Sequence, residues 1–279
     1  MKYKIVGDSS CDLSKEMEKK YNIAIAPLSF SIDGEEFIDD ENLDLAAYLK
    51  KINDSPSVPK SSCPSIQDYL DRFEGDHEWT FGVTISSELS GSYNSAMNAQ
   101  KMFLEKNENK KVHIFNSRGA SSMEVLIVIK IIELVEANME FEEIVDKVEA
   151  FIKESKILFV LDNIDTLEKN GRLSSMKAKI VRALNLKLIL TTTDEGAIDM
   201  FDKSRGFKKT LRKMVKSVGL IGKEPKGRIF AIAHCNAPER AQYVKELVTE
   251  MYDYKEVIIL ETRGLSSTYT NVGGIITAF

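Results

Sequence analysis

The stretch "TISSELSGSYNSA", residues 84–96, crowds serines around Gly91 where the β-branched run "WTFGVTI" ends and a helical pattern begins. Small hydroxyl residues at such a junction suit three kinds of chemistry: a nucleophile, an anion cradle, or a helix cap. A strand end followed by Ser90-Gly91 at a helix start presents unpaired N–H groups and the positive end of a helix dipole. Ser90 adds a hydroxyl, and Gly91 lets the backbone approach closely. "KSSCPS", 60–65, has the same character, with Ser61 and Ser62 before a proline and a helix start near Ser65. "NGRLSS", 170–175, puts Arg172 beside a turn glycine and two more hydroxyls. A guanidinium there can pair with a carboxylate or phosphate through two parallel bonds. Three hydroxyl-rich junctions and one arginine suit a single anionic head group held in a cleft; capping alone accounts for each junction taken singly.

Other chemistries lack their signatures. "ELSGSY" is not the G-x-S-x-G elbow of hydrolases, although a serine-dependent hydrolase or phosphotransfer enzyme using Ser90 is the rival reading. His77, His113 and His234 stand apart from one another and fit structural or exposed roles. "GDSSCD" at 7–12 lacks the G-x-G-x-x-G spacing, and "GLIGKE" at 219–224 lacks that of a P-loop. There is no H-E-x-x-H, and "DDENLD" at 39–44 reads as a solvated loop capping the next helix. No catalytic residue, metal site or cofactor is expected.

The elements that must position these residues alternate. Strand runs such as "YKIVGD", "TFGVTIS", "KVHIFNS", "ILFVLD", "GRIFAIAHC" and "EVIILET" are separated by helical patterns, which predicts an α/β fold with largely parallel sheets. "IAIAPLSFSIDGEEFID" predicts a hairpin near 26–40 turning at Asp33-Gly34. "KLILTTTDEGAIDMFDKS" predicts another at 194–196. "NDSPSVPKSSCPS" reads as a loop. Gly171 closes a short helix, and "SSMKAKIVRALN" is helical with Ser174 as N-cap. The helix around "MEVLIVIKIIELV", 123–135, is apolar on almost every face, as a tunnel-lining helix or an ordinary core helix would be. A boundary near 154 gives two α/β domains, 1–154 and 155–279, with the ligand cleft between them.

The 279 residues, 43% hydrophobic and 29% charged, are those of an ordinary globular chain. A net charge of −5 argues against a general nucleic-acid binder. Three dispersed cysteines fit a reducing compartment. The N-terminus enters a strand without a signal-peptide pattern, and 123–135 is too short and too interrupted by Glu124, Lys130 and Glu133 to span a bilayer. A cytoplasmic location is expected.

Taken in order, these stretches resemble the DegV family of bacterial fatty-acid-binding proteins over nearly the whole chain. "DSSCDL" is similar to the family's opening motif, and "APLSFSIDGEEFID" to its Pro-Leu strand and Asp-Gly hairpin. "KSSCPS" resembles Thr-Ser-Gln-Pro-Ser, with Ser61 at the Thr position and Cys63 at the Gln. "SSELSGSYNSA" resembles Ser-Ser-x-Leu-Ser-Gly-Thr-Tyr. "LDNIDTLEKNGRLS" resembles Leu-x-x-Leu-x-x-Gly-Gly-Arg, with Asn170 for the first Gly. "NLKLIL" resembles Ile-Lys-Pro-Ile, with Leu188 for Pro. The resemblance implies a DegV-like fold of two α/β domains. A fatty acid would lie with its chain buried and its carboxylate held by Ser61, Ser62, Ser90 and Gly91, with Arg172 as the charged neighbour. It also implies a non-catalytic carrier that presents the acyl chain to a fatty acid kinase in phospholipid metabolism, with transient membrane-surface contact. The family's terminal Thr-His-Thr-Gly-Pro-Gly is here altered: in "STYTNVGG" Tyr269 stands for His, Thr270 for the second Thr, Asn271 for Gly and Val272 for Pro. A phenol donates a hydrogen bond but stays neutral near pH 7.

Overall fold

The computed structural model describes residues 2–173 and 186–279. The helix expected over 174–185, with Ser174 as its cap, lies outside the described residues. Strand β1 (Tyr3–Asp8) sits between β2 (Ala24–Ala26) and β6 (Trp79–Thr84), and β6 pairs on with β7 (Lys111–Asn116); all three pairings are parallel. Every residue of β6 is buried, the expected state of a central strand covered on both faces. Helices α3 (Ile66–Phe73) and α4 (Ser92–Leu104) cover one side, where Tyr69, Phe73, Ala96, Ala99 and Phe103 close over Val6 and Ile114.

Beside this sheet, β3 (Ser29–Ile32), β4 (Glu35–Ile38) and β5 (Lys60–Ser62) form a small antiparallel sheet in the order β4-β3-β5. Asp33 and Gly34 both take positive φ, 52° and 81°, as a two-residue primed turn requires. The strand β5 corrects the reading of 53–65 as loop throughout. Three residues of a Ser/Pro-rich stretch pair with Ser29, Phe30 and Ser31 at a sheet edge, where the preceding proline costs no ladder bond. The remaining helices of this half are α1 (Lys15–Tyr21), α2 (Leu45–Asp54), α5 (Ser122–Glu136) and α6 (Phe141–Glu154).

The second half holds a six-stranded sheet. Its members are β8 (Ile157–Val160), β9 (Lys187–Thr192), β10 (Ile198–Ser204), β11 (Ile229–His234), β12 (Glu256–Glu261) and β13 (Ile275–Ala278), in the order β10-β9-β8-β13-β11-β12. Here the expectation of largely parallel pairing is overturned, for β11–β12 is the one parallel neighbour pair described. The C-terminal strand β13 inserts antiparallel between β8 and β11, and β9–β10 is a hairpin. Lys156 and Phe279 exchange both backbone bonds, which fixes that insertion. Among the described residues this half also holds helices α7 (Asp165–Lys169), α8 (Phe207–Ile221), α9 (Pro238–Met251) and α10 (Gly264–Thr270), α8 and α9 packing on the outer face.

Helix α5 touches β6 on one side and β11 and β13 on the other. It buries residues around its whole circumference, Val125 to Val128 in succession among them. One apolar cluster therefore runs from Ile5 and Phe81 through α5 to Phe159, Leu190 and Ile276.

Candidate functional site

Between the sheets lies a cavity with walls from both halves of the chain. Its walls are mainly aliphatic and come from both halves: Leu28, Ile85, Leu89 and Ala120 on one side, Ile157, Phe159, Leu161, Leu167, Ile198 and Ile276 on the other. Ser10, Ser61, Ser90, Arg172, Ser266, Tyr269 and Thr270 add polar atoms. Among the described residues helix α5 contributes nothing to the lining, and neither does any methionine, so the apolar helix is core rather than tunnel wall.

Each polar residue is held by a local cause. Ser61 lies on β5, opposite Phe30, and its Oγ is 2.8 Å from the Tyr269 hydroxyl. Tyr269 rides on α10, a seven-residue helix rich in Ser and Thr that composition did not announce. Its start is held from far along the chain: the Gly264 and Leu265 N–H groups donate to the two Asp39 carboxylate oxygens at 2.9 and 2.8 Å. The backbone after α10 keeps a glycine-like path at a cost: Asn271 takes φ 55° with ψ 167°, a region that glycine adopts far more readily, while Val272 keeps an ordinary φ.

Arg172 follows α7 through a Schellman turn. Gly171, with φ 73°, donates to Glu168 O, and Arg172 N donates to Leu167 O. The guanidinium donates to Leu89 O at 3.2 Å and to Asn170 O at 2.6 Å. Among the described residues no carboxylate pairs with it. The Asn170 amide also donates to Pro59 O at 2.9 Å, tying the arginine turn to the strand that carries Ser61.

Ser90 precedes α4, whose N-cap is Gly91 with no side-chain cap bond. The Ser90 Oγ accepts weakly from Ser92 N at 3.3 Å. None of the three histidines is bonded to it: His77 pairs with Thr80, His113 with Glu149, and His234 Nδ1 accepts from Ala237 N. Thr270 donates to Ser266 O at 2.6 Å. Ser62 is exposed, and neither it nor Gly91 lines the cavity. Gly91 has an ordinary φ of −69°, and an added Cβ would sit 3.1 Å from Cys63 Sγ, so its smallness serves loop packing. The structure thus brings together Ser61, Ser90, Arg172, Tyr269 and Thr270 from the expected set.

Sequence reading missed Ser10, Ser266 and the layer behind them. The Ser10 hydroxyl donates to Glu124, its N–H donates to Asp8 at 3.1 Å, and all three residues are fully buried. Asp8 also accepts from Ile85 N at 3.0 Å and from Ser92 Oγ. Burial pushes Asp8 upward and Glu124 well above the usual carboxylate range, Asp8 adding to the rise at Glu124. Asp12 accepts from Arg263 N at 2.6 Å and from Ser121 Oγ, and burial raises it to about 7 against those bonds. The signal lay in the sequence: "DSSCD" and the Glu124 that interrupts the apolar helix are charges in otherwise core-forming segments.

An apolar cavity with hydroxyls and a guanidinium in its wall is built for a largely apolar ligand with a polar end. The family model described as "Uncharacterised protein, DegV family" matches residues 2–278, and the chain belongs to the DegV family. A DegV domain-containing protein of Streptococcus pneumoniae is 34% identical over 285 residues, covering 100% of this chain and 99% of that one. The crystal structure of a DegV family protein from Ruminococcus gnavus, with vaccenic acid, is 40% identical with a TM-score of 0.95 and full coverage of both chains. The Streptococcus pneumoniae Fatty Acid Kinase (Fak) B3 protein, loaded with linoleic acid, is 31% identical with a TM-score of 0.91, covering 100% of this chain and 99% of that one.

Proposed function

We propose that this protein binds a long-chain fatty acid, with the acyl chain in the cavity between the sheets and the carboxylate among Ser61, Ser90, Arg172, Tyr269 and Thr270. The single observation that carries the reading is the aliphatic cavity with these polar groups in its wall, drawn from sequence-distant loops. Fatty acids in relatives of 31% and 40% identity support it. Burial at about 0.8 kcal/mol per CH₂ is worth roughly 12 kcal/mol for a chain of about 16 carbons, before ordering costs. Head-group hydrogen bonds at about 1–3 kcal/mol each are smaller, so the cavity sets affinity and the polar wall sets orientation. Ser62 and Gly91 shape the two loops.

The protein acts as a carrier rather than a catalyst, handing its ligand to a fatty acid kinase in the cytoplasm with transient contact at membrane surfaces. The name of the pneumococcal relative supports the kinase. Among the described residues no helix is long and apolar enough to cross a membrane. The chain divides into domains at 1–154 and 155–279, a division supported by strand pairing that stays within each part. With Tyr269 at the place of the family's histidine, Arg172 carries the charge pairing.

Mass spectrometry of lipid extracted from purified protein tests the reading. A fatty acid near one per chain is the expected result. Protein that carries none and takes up none on titration refutes it.

A further inference from the structure

Behind the polar wall of the cavity the carboxyls of Asp8 and Glu124 are joined through Ser10, and among the described residues no cation pairs with either. Asp8 is satisfied as a carboxylate, one oxygen accepting from Ser10 N and the other from Ile85 N and Ser92 Oγ. Glu124 is not. Its Oε1 accepts the Ser10 hydroxyl and its buried Oε2 has no partner among the described residues, while the Ser10 N–H donates to Asp8, so one serine joins the two buried carboxyls. Two buried carboxyls brought together by one serine, with no cation bonded to either among the described residues, are stabilised by sharing a proton. The Arg263 guanidinium is spent on Glu18, and Asp12 takes its backbone N–H.

Ser10 belongs to both places, since it lines the cavity and holds Glu124. We propose that Asp8 and Glu124 hold one proton between them behind Ser10, and that this proton is what lets the polar wall of the cavity accept an anion. The proposal rests on the fatty-acid reading above. Without the proton, a dianion would stand directly behind the ligand's carboxylate, with Arg172 the cation among the described residues that line the cavity. With it, the Glu124 O–H donates to Asp8, the Glu124 carbonyl oxygen accepts from Ser10, and the wall carries one negative charge spread over a hydrogen-bonded pair. The upward displacement of both carboxyls agrees with that arrangement. The charged and titratable groups around the pair are Cys11 and Asp12 after β1, Tyr69 on α3, Asp39 after β4, Glu18 on α1, Arg263 before α10, and Arg172 and Tyr269 across the cavity. Cys11 and Tyr69 are pushed upward by burial and stay neutral, and Glu18 is paired with Arg263.

The test compares wild type with Glu124→Gln, whose amide can donate to Asp8 and accept from Ser10 as protonated Glu124 does. Two probes are used, a medium-chain carboxylate and the chain-matched primary alcohol, alongside infrared detection of a buried carboxylic-acid C=O stretch. Wild type should show the acid band at pH 7 and Glu124→Gln should lose it. The two proteins should bind the carboxylate within about threefold of each other at pH 7. Wherever rising pH bleaches the band, carboxylate affinity should fall by up to about tenfold per pH unit, the limit for one linked proton, while alcohol affinity holds. If the band persists throughout, a flat profile with the near-equal affinities is the expected result. No acid band in wild type at pH 7 overturns the proposal, and that arm needs no variant. So does Glu124→Gln binding the carboxylate tenfold or more tightly with alcohol unchanged, because Glu124 was then already charged. So does a band that bleaches without loss of carboxylate affinity. A wild-type protein that binds neither probe refutes the lipid reading itself, an outcome distinct from all of these.

Discussion

Helices α3 and α4 both begin after a serine-containing loop beside β5 or β6, yet their first turns end in different states. At α3 the Ser65 Oγ accepts from Asp68 N at 3.1 Å, and the Asp68 carboxylate accepts from Ser65 N at 2.8 Å, a complete capping box. At α4 the cap position is Gly91, and Ser90 offers only a 3.3 Å contact to Ser92 N. The hydroxyl at α3 is consumed by its own helix, while the one at α4 faces the cavity. A third start, that of α10, takes its cap from Asp39 across the fold. Similar serines therefore divide into structural and available ones according to where the first-turn N–H groups find acceptors.

The remote cap is the place to break this comparison most severely. Asp39→Ala leaves the Gly264 and Leu265 N–H groups buried without acceptors, at about 1–3 kcal/mol each. A loss of roughly 3–5 kcal/mol is expected in denaturant unfolding, together with weaker ligand binding as Tyr269 loses its support. A loss under about 1 kcal/mol would mean that α10 is held by its packing alone.

Asp12 holds the residue just before that helix, and its effect depends on pH. Its carboxyl lies near 3.8 when unfolded and about 7 in the fold, so between those values the folded state binds more protons than the unfolded one. The stability that Asp12 contributes therefore falls as pH rises from about 4 to about 7, and its contribution levels off above. Asn carries no such proton. Asp12→Asn should gain on wild type across that window by a few kcal/mol, since each tenfold difference in proton affinity between the two states is worth about 1.4 kcal/mol. His77, lowered to about 4 by burial, acts in the opposite sense but is common to both proteins and cancels. Urea midpoints of the pair at pH 4 and pH 7.5 check this; a pH-independent difference would show that Asp12 ionises normally.

What was legible in the sequence and what was not follows the same division between local and distant partners. Strands such as β6 and β8 declare themselves by β-branched and aromatic runs, and the β3–β4 turn by Asp33-Gly34. The strand β5 does not, since its three residues are made a strand by β3 and not by their own propensity. The antiparallel insertion of β13 leaves no local mark, because its neighbours begin near residues 157 and 229. Ser61, Ser90 and Arg172, which line the cavity, were singled out by turn chemistry and motif order. Ser10 and Glu124 were missed, since one reads as loop and the other as a blemish in an apolar helix. Their meaning appears only when residues 114 positions apart are brought into contact.

Ser65→Ala sharpens the contrast at a smaller scale. Removing half of a capping box costs about 1 kcal/mol, seen in denaturant unfolding, with fatty-acid affinity unchanged within a factor of about two. A marked loss of affinity without loss of stability would make Ser65 part of the ligand site and erase the distinction from Ser90.

Ser90→Ala is the smallest change in stability and the most informative one for function. The single described bond of its hydroxyl is the 3.3 Å acceptance from Ser92 N, so the mutant should lose no more than about 0.5 kcal/mol of stability. Gly91 still caps α4, and Ser92 keeps its bonds to Asp8 and to the Tyr69 hydroxyl, so the helix start stays in place. What changes is the wall of the cavity, where one donor disappears beside Arg172, whose Nε is already committed to Leu89 O. One hydrogen bond to a charged acceptor is worth about 1–3 kcal/mol against roughly 12 kcal/mol from the buried chain. Binding should therefore persist, weakened by about tenfold, while the bound carboxylate becomes less well ordered. A ¹³C-carboxyl-labelled fatty acid reads both quantities, affinity by titration and order by the width and position of its resonance. Complete loss of binding in a folded protein would show that the head group dominates. An unchanged carboxyl resonance would show that Ser90 is a spectator and that the open first turn of α4 has no ligand to satisfy.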